Sequence, residues 1–297
     1  MKNPIGLHVG YWQGTVAGQD LPRLIELTRK TSADSIEVSL GSFAQMPIQD
    51  IRSFRQACEQ ADLRITVNGG LVTPQNDISS ADPSCRQAGL DHCRAMLDIC
   101  AELGSPTWSG LIHSAWLLRP DPADPVRSKA ETRARSIEGM QHVAQMAEAA
   151  GVVCCLEIVN RYEQFVFNTV VEGVAFCQDV ASPSCKLLLD TFHLSIEENN
   201  TAKAIRLGQA HGQIGYIHVG ETNRRLPTGE DSNILWQDIA TAVRDTGYDG
   251  PLVLEPLELA NSPAASMVCV WRSFSDPEDL EAMLAKARKG IEFLRSL

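Results

Sequence analysis

Residues 185–198 read CKLLLDTFHLSIEE and contain the pattern that decides the fold. An apolar run of strand length ends abruptly at Asp190, and His193 follows three residues later. Two explanations are open at this point. Asp190 could cap whatever follows, with His193 as a polar loop residue, or Asp190 could be a ligand at the mouth of a barrel, with His193 at the start of a binding loop. The neighbouring stretches of the chain favour the second explanation.

Similar apolar runs recur along the whole chain, and eight of them have the length of a β-strand. They are too continuous for half-exposed antiparallel strands, so they predict a parallel sheet that is buried on both faces. In chain order they are IGLHVGYW, DSIEVSL, RITVNGG, SPTWSGLIH, VVCCLEI, CKLLLD, IGYIHV and PLVLEP.

Eight stretches with apolar residues at helical spacing alternate with these runs, and several end at a glycine, as helix C-termini commonly do. Strict strand–helix alternation predicts an α/β fold with a parallel sheet, and eight units predict a (β/α)8 TIM barrel. A doubly wound open sheet is the weaker alternative. Because no linker divides the chain, we expect one domain over residues 1–297, with the Pro-rich segment 120–129 as a loop over the barrel mouth.

Composition excludes several classes of partner. The chain has 297 residues, 44% of them hydrophobic, which is enough apolar material for a large core. The net charge of −11 and the absence of a basic run argue against nucleic acid and anionic membranes as partners. The nine cysteines form no CxxC pair, so we expect reduced thiols. No apolar run has the position and length of a signal-peptide core or the length of a membrane span, so we expect a cytoplasmic protein.

Four consecutive strands of the second half deliver an acid or an imidazole at or near their C-terminal ends, where barrel active sites lie. They are Glu157, Asp190, His218 and Glu255, separated by 33, 28 and 37 residues, about one strand–helix unit each. Each acid alone could cap a helix, and His218 alone could be a core residue. The four together at this periodicity favour a metal site, and oxygen and imidazole ligands without thiolate suit Mn²⁺, Mg²⁺ or Co²⁺.

Further polar residues lie close to these ligands in the sequence: Glu163, His193, Arg224 and Arg225. Arg225 is interpreted as a solvated loop charge. Arg224 lies six residues after His218 in the same loop, close enough to hold a polar ligand of the metal.

In combination these residues resemble the ketose 3-epimerases, a family within the xylose-isomerase-like barrels. The resemblance rests mainly on the second half of the chain; the first half matches more loosely, through GYW (10–12) and LIHSAW (111–116). The motifs of the second half are EIVNRYE (157–163), NTVVEGVAF (168–176), LLLDTFHLSIEE (187–198), HVGETNRRLP (218–227), LEP (254–256) and VWRSFS (270–275).

The resemblance implies a divalent metal, usually manganese, magnesium or cobalt, with Mn²⁺ as our first choice, held by the four strand-end residues. It also places Glu163, His193 and Arg224 on the hydroxyl and carbonyl groups of a sugar and Trp116 against it. Where the family usually has an aromatic residue on the first strand this chain has His8, and where many members have tryptophan it has Val16. Both would wall the far end of the sugar. We further expect a homodimer or a homotetramer.

The implied reaction is C3 epimerisation of free ketoses, such as D-fructose/D-psicose, D-tagatose/D-sorbose or D-ribulose/D-xylulose. The C3 proton is α to the C2 carbonyl, and a metal chelated by O2 and O3 would stabilise the resulting cis-enediolate. Glu157 and Glu255 would be the two bases, one on each face of the sugar.

Three other functions fit the same barrel. An aldose–ketose isomerase would move the proton between C1 and C2. An abasic-site endonuclease would need a multi-zinc cluster and a basic face, which seven histidines and a charge of −11 disfavour. A non-catalytic sugar-binding barrel would have no need for two opposed carboxylates.

Overall fold

Eight parallel strands follow one another around a closed barrel, and β1 pairs with β8 to complete it. The structure, a computed structural model, describes residues 1–70 and 72–297. The predicted fold class, a single (β/α)8 barrel, is confirmed. The strands are β1 (Ile5–His8), β2 (Ser35–Ser39), β3 (Arg64–Asn68), β4 (Thr107–Gly110), β5 (Val153–Ile158), β6 (Cys185–Asp190), β7 (Ile214–Val219) and β8 (Leu252–Leu254).

Helices surround the barrel and connect successive strands. The connection from β6 to β7 contains two of them, a short one directly after the strand and a longer one that packs beside α5 and α8. The helices are α1 (Leu21–Lys30), α2 (Ile48–Gln60), α3 (Pro83–Leu103), α4 (Pro125–Ala150), α5 (Val170–Val180), α6 (Thr191–Glu197), α7 (Thr201–Ala210), α8 (Trp236–Thr246) and α9 (Leu280–Ser296).

Three local predictions were wrong. The first predicted strand, residues 5–12, stops at His8, because the His8 Nδ1 accepts a hydrogen bond from the Gly10 N–H at 3.1 Å and caps a 3₁₀ turn, Val9–Trp12. His193 lies in α6 rather than in a loop. The segment 120–129 is a loop only up to Asp124, whose side chain caps α4, with Pro125 at the first helical position.

The apolar core has two layers. Alternate strand residues such as Leu156, Leu187 and Leu254 face outward and pack under the helices, while Cys155 and Tyr216 belong to a small cluster inside the barrel. All nine cysteines are free thiols. Among the helices of the described residues, none combines the length and apolarity needed to span a membrane.

Candidate active site

The barrel interior determines where the four strand-end residues point. The inner cluster consists of Cys155, Leu188, Tyr216 and Val253, one from each of β5 to β8. Two residues beyond each of them the side chain faces inward again, because strand side chains alternate with a period of two. The residues at those positions are Glu157, Asp190, His218 and Glu255.

These four side chains meet at the C-terminal mouth. One potential ligand atom from each lies within 4.8 Å of the others. Glu157, Asp190 and His218 are buried, and Glu255 is half-buried. Three carboxylates and one imidazole in one place form an oxygen-rich donor set that suits a hard or borderline divalent cation.

The pKa shifts of the three carboxyls also indicate a site that suits a divalent cation. Burial raises the pKa of the Glu157 and Asp190 carboxyls, and the nearby negative charge of Glu255 raises both further. Burial would also raise the pKa of Glu255, but His218 beside it holds that pKa below its usual range. Carboxylates that converge in a buried site need protons or a cation to offset their repulsion, so the residues fit a divalent metal.

Asp190 caps a helix and is also placed where it could bind a metal. Its Oδ1 accepts a hydrogen bond from the Phe192 N–H at 2.9 Å and so caps α6. Its Oδ2 lies 3.8 Å from the His193 Nε2, on the side of the ligand group. The cap and the ligand are therefore not alternatives, because the two oxygens of one carboxylate can serve one each.

Glu255 is held from two sides. The His218 Nδ1 lies 3.1 Å from its Oε2, and the Asn68 side chain at the end of β3 donates a hydrogen bond to its Oε1 at 3.5 Å. Asn68 was not among the residues predicted from the sequence. A polar residue at a strand end was the available signal, but one neutral amide in the first half of the barrel was not singled out.

A second polar group lies beside the first and is centred on Glu163. Arg224 donates to the Glu163 Oε1 at 2.5 Å, and the Asn160 side chain donates to the same oxygen at 3.1 Å. The indole N–H of Trp116 donates to the Oε2 at 3.0 Å. The guanidinium of Arg224 also stacks on the Phe192 ring, 4.0 Å from its centroid. The structure thus brings Glu163, Arg224 and Trp116 together, and it adds Asn160 and Phe192, which the sequence analysis missed.

His193 connects the two groups. Its Nδ1 accepts a hydrogen bond from the Asn160 backbone N–H at 3.0 Å, so in the neutral ring the proton is on Nε2. That nitrogen lies 3.4 Å from the Glu157 Oε1. His193 therefore presents an N–H donor to the space beside the carboxylates.

The first strand contributes a different kind of group. His8, 9% exposed, lies at the end of β1, and its Nδ1 is occupied by the Gly10 N–H. Val16 is 88% exposed, so within this chain it packs against little.

Arg225, which the sequence predicts to be a solvated charge, is half-buried. Its guanidinium stacks on the Phe274 ring, 5.3 Å from the ring centroid.

Comparisons with known proteins agree with this geometry. The family model described as the xylose isomerase-like TIM barrel matches residues 25–297. A D-psicose 3-epimerase of Agrobacterium fabrum is 33% identical over 98% of this chain and 97% of its own length. An L-ribulose 3-epimerase of Methylomonas sp. is 32% identical, covering 98% and 96%. The crystal structure of a D-psicose 3-epimerase with D-tagatose, from Clostridium cellulolyticum H10, superposes with a TM-score of 0.90 at 30% identity, covering 99% and 98%.

Fold and site therefore define a xylose-isomerase-like barrel with an acid-rich mouth. Within that class the chain belongs to the ketose 3-epimerases, a family of isomerases that act on carbohydrates.

Proposed function

We propose that this protein interconverts free ketoses by epimerisation at C3, with Glu157 and Glu255 as the two bases. The placement of these carboxylates is the observation that carries the proposal. They come from β5 and from the residue after β8, three strands apart around the barrel. Even so, one carboxylate oxygen of each lies within 4.8 Å of the other. A small sugar at that point lies between two carboxylates.

The chemistry follows from the position of the C2 carbonyl. The C3 proton is acidic because its removal gives an enediolate, and inversion needs one base to remove the proton and an acid on the other face to return it. Each glutamate can fill either role, depending on the direction of the reaction. Mn²⁺, or alternatively Mg²⁺ or Co²⁺, held by Glu157, Asp190, His218 and Glu255, would supply positive charge that stabilises the developing oxyanion.

The second polar group would orient the sugar. The Nε2–H of His193 and the guanidinium of Arg224 are donors for the carbonyl and hydroxyl oxygens, and Glu163 is an acceptor for hydroxyl protons. The Trp116 ring would lie against the sugar carbons, and His8 would contact the far end. The pairing of Arg224 with Glu163 at 2.5 Å supports these roles, because it holds both charged groups in one orientation.

The proposed substrates are unphosphorylated. A phosphate is usually held by a helix N-terminus or by a cluster of basic side chains. The helix α6 begins at the mouth, but its N-terminus is capped by the Asp190 carboxylate. Of the two adjacent arginines of the β7 loop, Arg224 is paired with Glu163 and Arg225 is stacked on Phe274. The overall charge of −11 also disfavours anionic substrates.

We also propose that the chain forms a homodimer or a homotetramer. Met267 and Trp271, 46% and 72% exposed, place apolar surface on the segment after β8. Light scattering after size exclusion should give two or four times the chain mass of 32.5 kDa, and a mass of one chain would contradict this.

The proposed activity is tested by turnover of a panel of ketoses. The protein, stripped of metal by chelation and supplied with Mn²⁺, is incubated with D-fructose, D-psicose, D-tagatose, D-ribulose and the corresponding phosphates, and the products are separated by chromatography. We expect C3 epimers from the free sugars at higher kcat/KM than from the phosphates. Aldose products, or a preference for phosphates, would contradict the proposal.

A further inference from the structure

A fifth charged side chain lies inside the barrel directly below the four strand-end residues. Glu37, in the middle of β2, is completely buried. Strand alternation turns it inward with Ser35, while Ile36 and Val38 belong to the core under the helices. A buried carboxylate is costly unless something compensates for it, so its partner identifies its role.

The partner of Glu37 is His218. The Glu37 Oε2 lies 2.9 Å from the His218 Nε2, on the opposite side of the ring from the contact between His218 Nδ1 and Glu255 at 3.1 Å. The two atoms are at hydrogen-bond distance, with the carboxylate of Glu37 as the acceptor for an Nε2–H donor. Among the described residues no other side chain forms a well-aligned hydrogen bond with either Glu37 oxygen or with the His218 Nε2. The buried Tyr216 hydroxyl is also close to Glu37, because burial and the charge of that carboxylate both raise the Tyr216 pKa.

The chemistry of imidazole gives this contact a consequence. A ring nitrogen can bind a cation only when it carries no proton, so the proton of a neutral ligand histidine must be on the other nitrogen. An acceptor beside that other nitrogen fixes both the tautomer and the ring orientation. Glu37 is such an acceptor, and it leaves Nδ1 facing the group to which Glu255 belongs.

We propose that Glu37 is a positioning residue for the metal: it holds His218 with the proton on Nε2 and the Nδ1 lone pair directed at the ion. Its negative charge also adds to the attraction of the site for a divalent cation. This inference rests on the metal site of the proposed function, and it concerns cation affinity rather than proton transfer.

Two substitutions separate this role from a purely structural one. Glu37→Leu removes both the acceptor and the charge and places an apolar side chain of similar volume in the buried position. Because removal of one partner of a buried pair can lower stability, the unfolding temperature of this variant is measured beside its metal affinity. Glu37→Gln removes the charge but keeps an amide oxygen that can accept from Nε2. Ser35→Ala is the matched control, since Ser35 is on the same strand, faces the same way and is buried to a similar degree.

The test measures the Kd for Mn²⁺ of the metal-stripped proteins, from the electron paramagnetic resonance signal of free Mn²⁺, together with the unfolding temperature without metal. We expect Glu37→Leu to weaken binding about 10- to 100-fold, Glu37→Gln to weaken it less, and Ser35→Ala to leave it unchanged. A Kd for Glu37→Leu equal to that of the wild type, or a fall in unfolding temperature without a change in Kd, would overturn the positioning role. Failure of the wild type itself to bind Mn²⁺ would instead overturn the metal site of the proposed function.

Discussion

The strands in the two halves of the barrel end at residues of different chemical type. The strands β1 to β4 end at His8, Ser39, Asn68 and Gly110, none of them an acid. The strands β5 to β8 bring Glu157, Asp190, His218 and Glu255 to one point. The first half is nevertheless connected to the second, because Asn68 reaches Glu255 and Glu37 reaches His218. On the proposed function, the second half would thus provide the reacting groups, and the first half would orient them.

Replacing a reacting carboxylate should have the largest effect. Glu157→Gln and Glu255→Gln should each lower kcat for epimerisation by about 10²- to 10⁴-fold in both directions, since an amide cannot accept the proton. The remaining carboxylate should still exchange the C3 proton of the one epimer that presents it to that face. The measurements are product formation and deuterium exchange, with metal content determined for each variant.

Glu172→Gln is the control for these variants. Glu172 accepts hydrogen bonds from the Lys129 side chain and from the Asn168 N–H at the start of α5 and belongs to neither polar group of the site, so its substitution should leave kcat nearly unchanged. Epimerisation by Glu157→Gln or Glu255→Gln at a rate close to the wild type, with metal bound, would rule out the two-base arrangement.

Removing Arg224 should have an intermediate effect. Arg224→Ala deletes a charge-assisted donor and takes one partner from the buried Glu163, so kcat/KM should fall about 10- to 100-fold. Arg225→Ala, at the adjacent position but stacked on Phe274, should cost much less. Equal losses in the two variants would show that Arg224 has no special relation to the substrate.

The effect of the metal on the free energy of unfolding should depend on pH. Burial raises the pKa of Glu157 and Asp190 in the metal-free protein, so above the ordinary carboxyl pKa the folded state binds more protons than the unfolded chain. Their contribution to the free energy of unfolding is therefore present at low pH and is lost as the pH rises through the raised values. A cation needs the deprotonated carboxylates, so its stabilising effect should grow over the same range.

Thermal unfolding with Mn²⁺ and with EDTA measures this coupling. At about 100 times the Kd, Mn²⁺ should raise Tm by about 5–10 °C at pH near 8, and by less at pH near 5. An Mn²⁺ effect that is as large at the lower pH would show that these carboxylates do not hold the ion.

Changes in the wall of the first half should have the smallest effect on chemistry. His8→Tyr and Val16→Trp should alter the ranking of ketoses through KM, by less than about tenfold, and leave kcat nearly unchanged, because such contacts are felt equally in the ground and transition states. His8 is buried at the mouth whereas Val16 is exposed, so the larger change should come from His8. If the KM of each ketose is the same in both variants as in the wild type, these residues lie outside the pocket.

Much of the fold could be predicted from the sequence because periodicity reports burial directly. The continuous run in CKLLLD and the helical spacing in WQDIATAVRDT were enough to place β6 and α8. The end of β1 could not be predicted, since its stop depends on the His8 ring folding back onto the Gly10 N–H. The helix that contains His193 was missed because it has only seven residues and begins at a cap that is also a strand end.

Some residues of the candidate site could also be predicted from the sequence, and others could not. Residues at strand ends, such as Asp190 and His218, were found because the topology of a barrel brings strand ends together. Glu37 was missed because it lies in the middle of β2 rather than at its end, and the spacing of strand ends gives no information about an acid at that position. Asn160 and Phe192 act through a backbone hydrogen bond and a ring contact that no spacing predicts.

The position of the transferred proton tests the C3 chemistry most directly. Turnover of a free ketose in D₂O by the Mn²⁺-loaded protein, followed by NMR of the product, should show deuterium at C3 and none at C1, because Glu157 and Glu255 are proposed to lie on the two faces of C3. Deuterium at C1, with C3 unlabelled, would contradict the epimerase and favour an aldose–ketose isomerase on the same barrel.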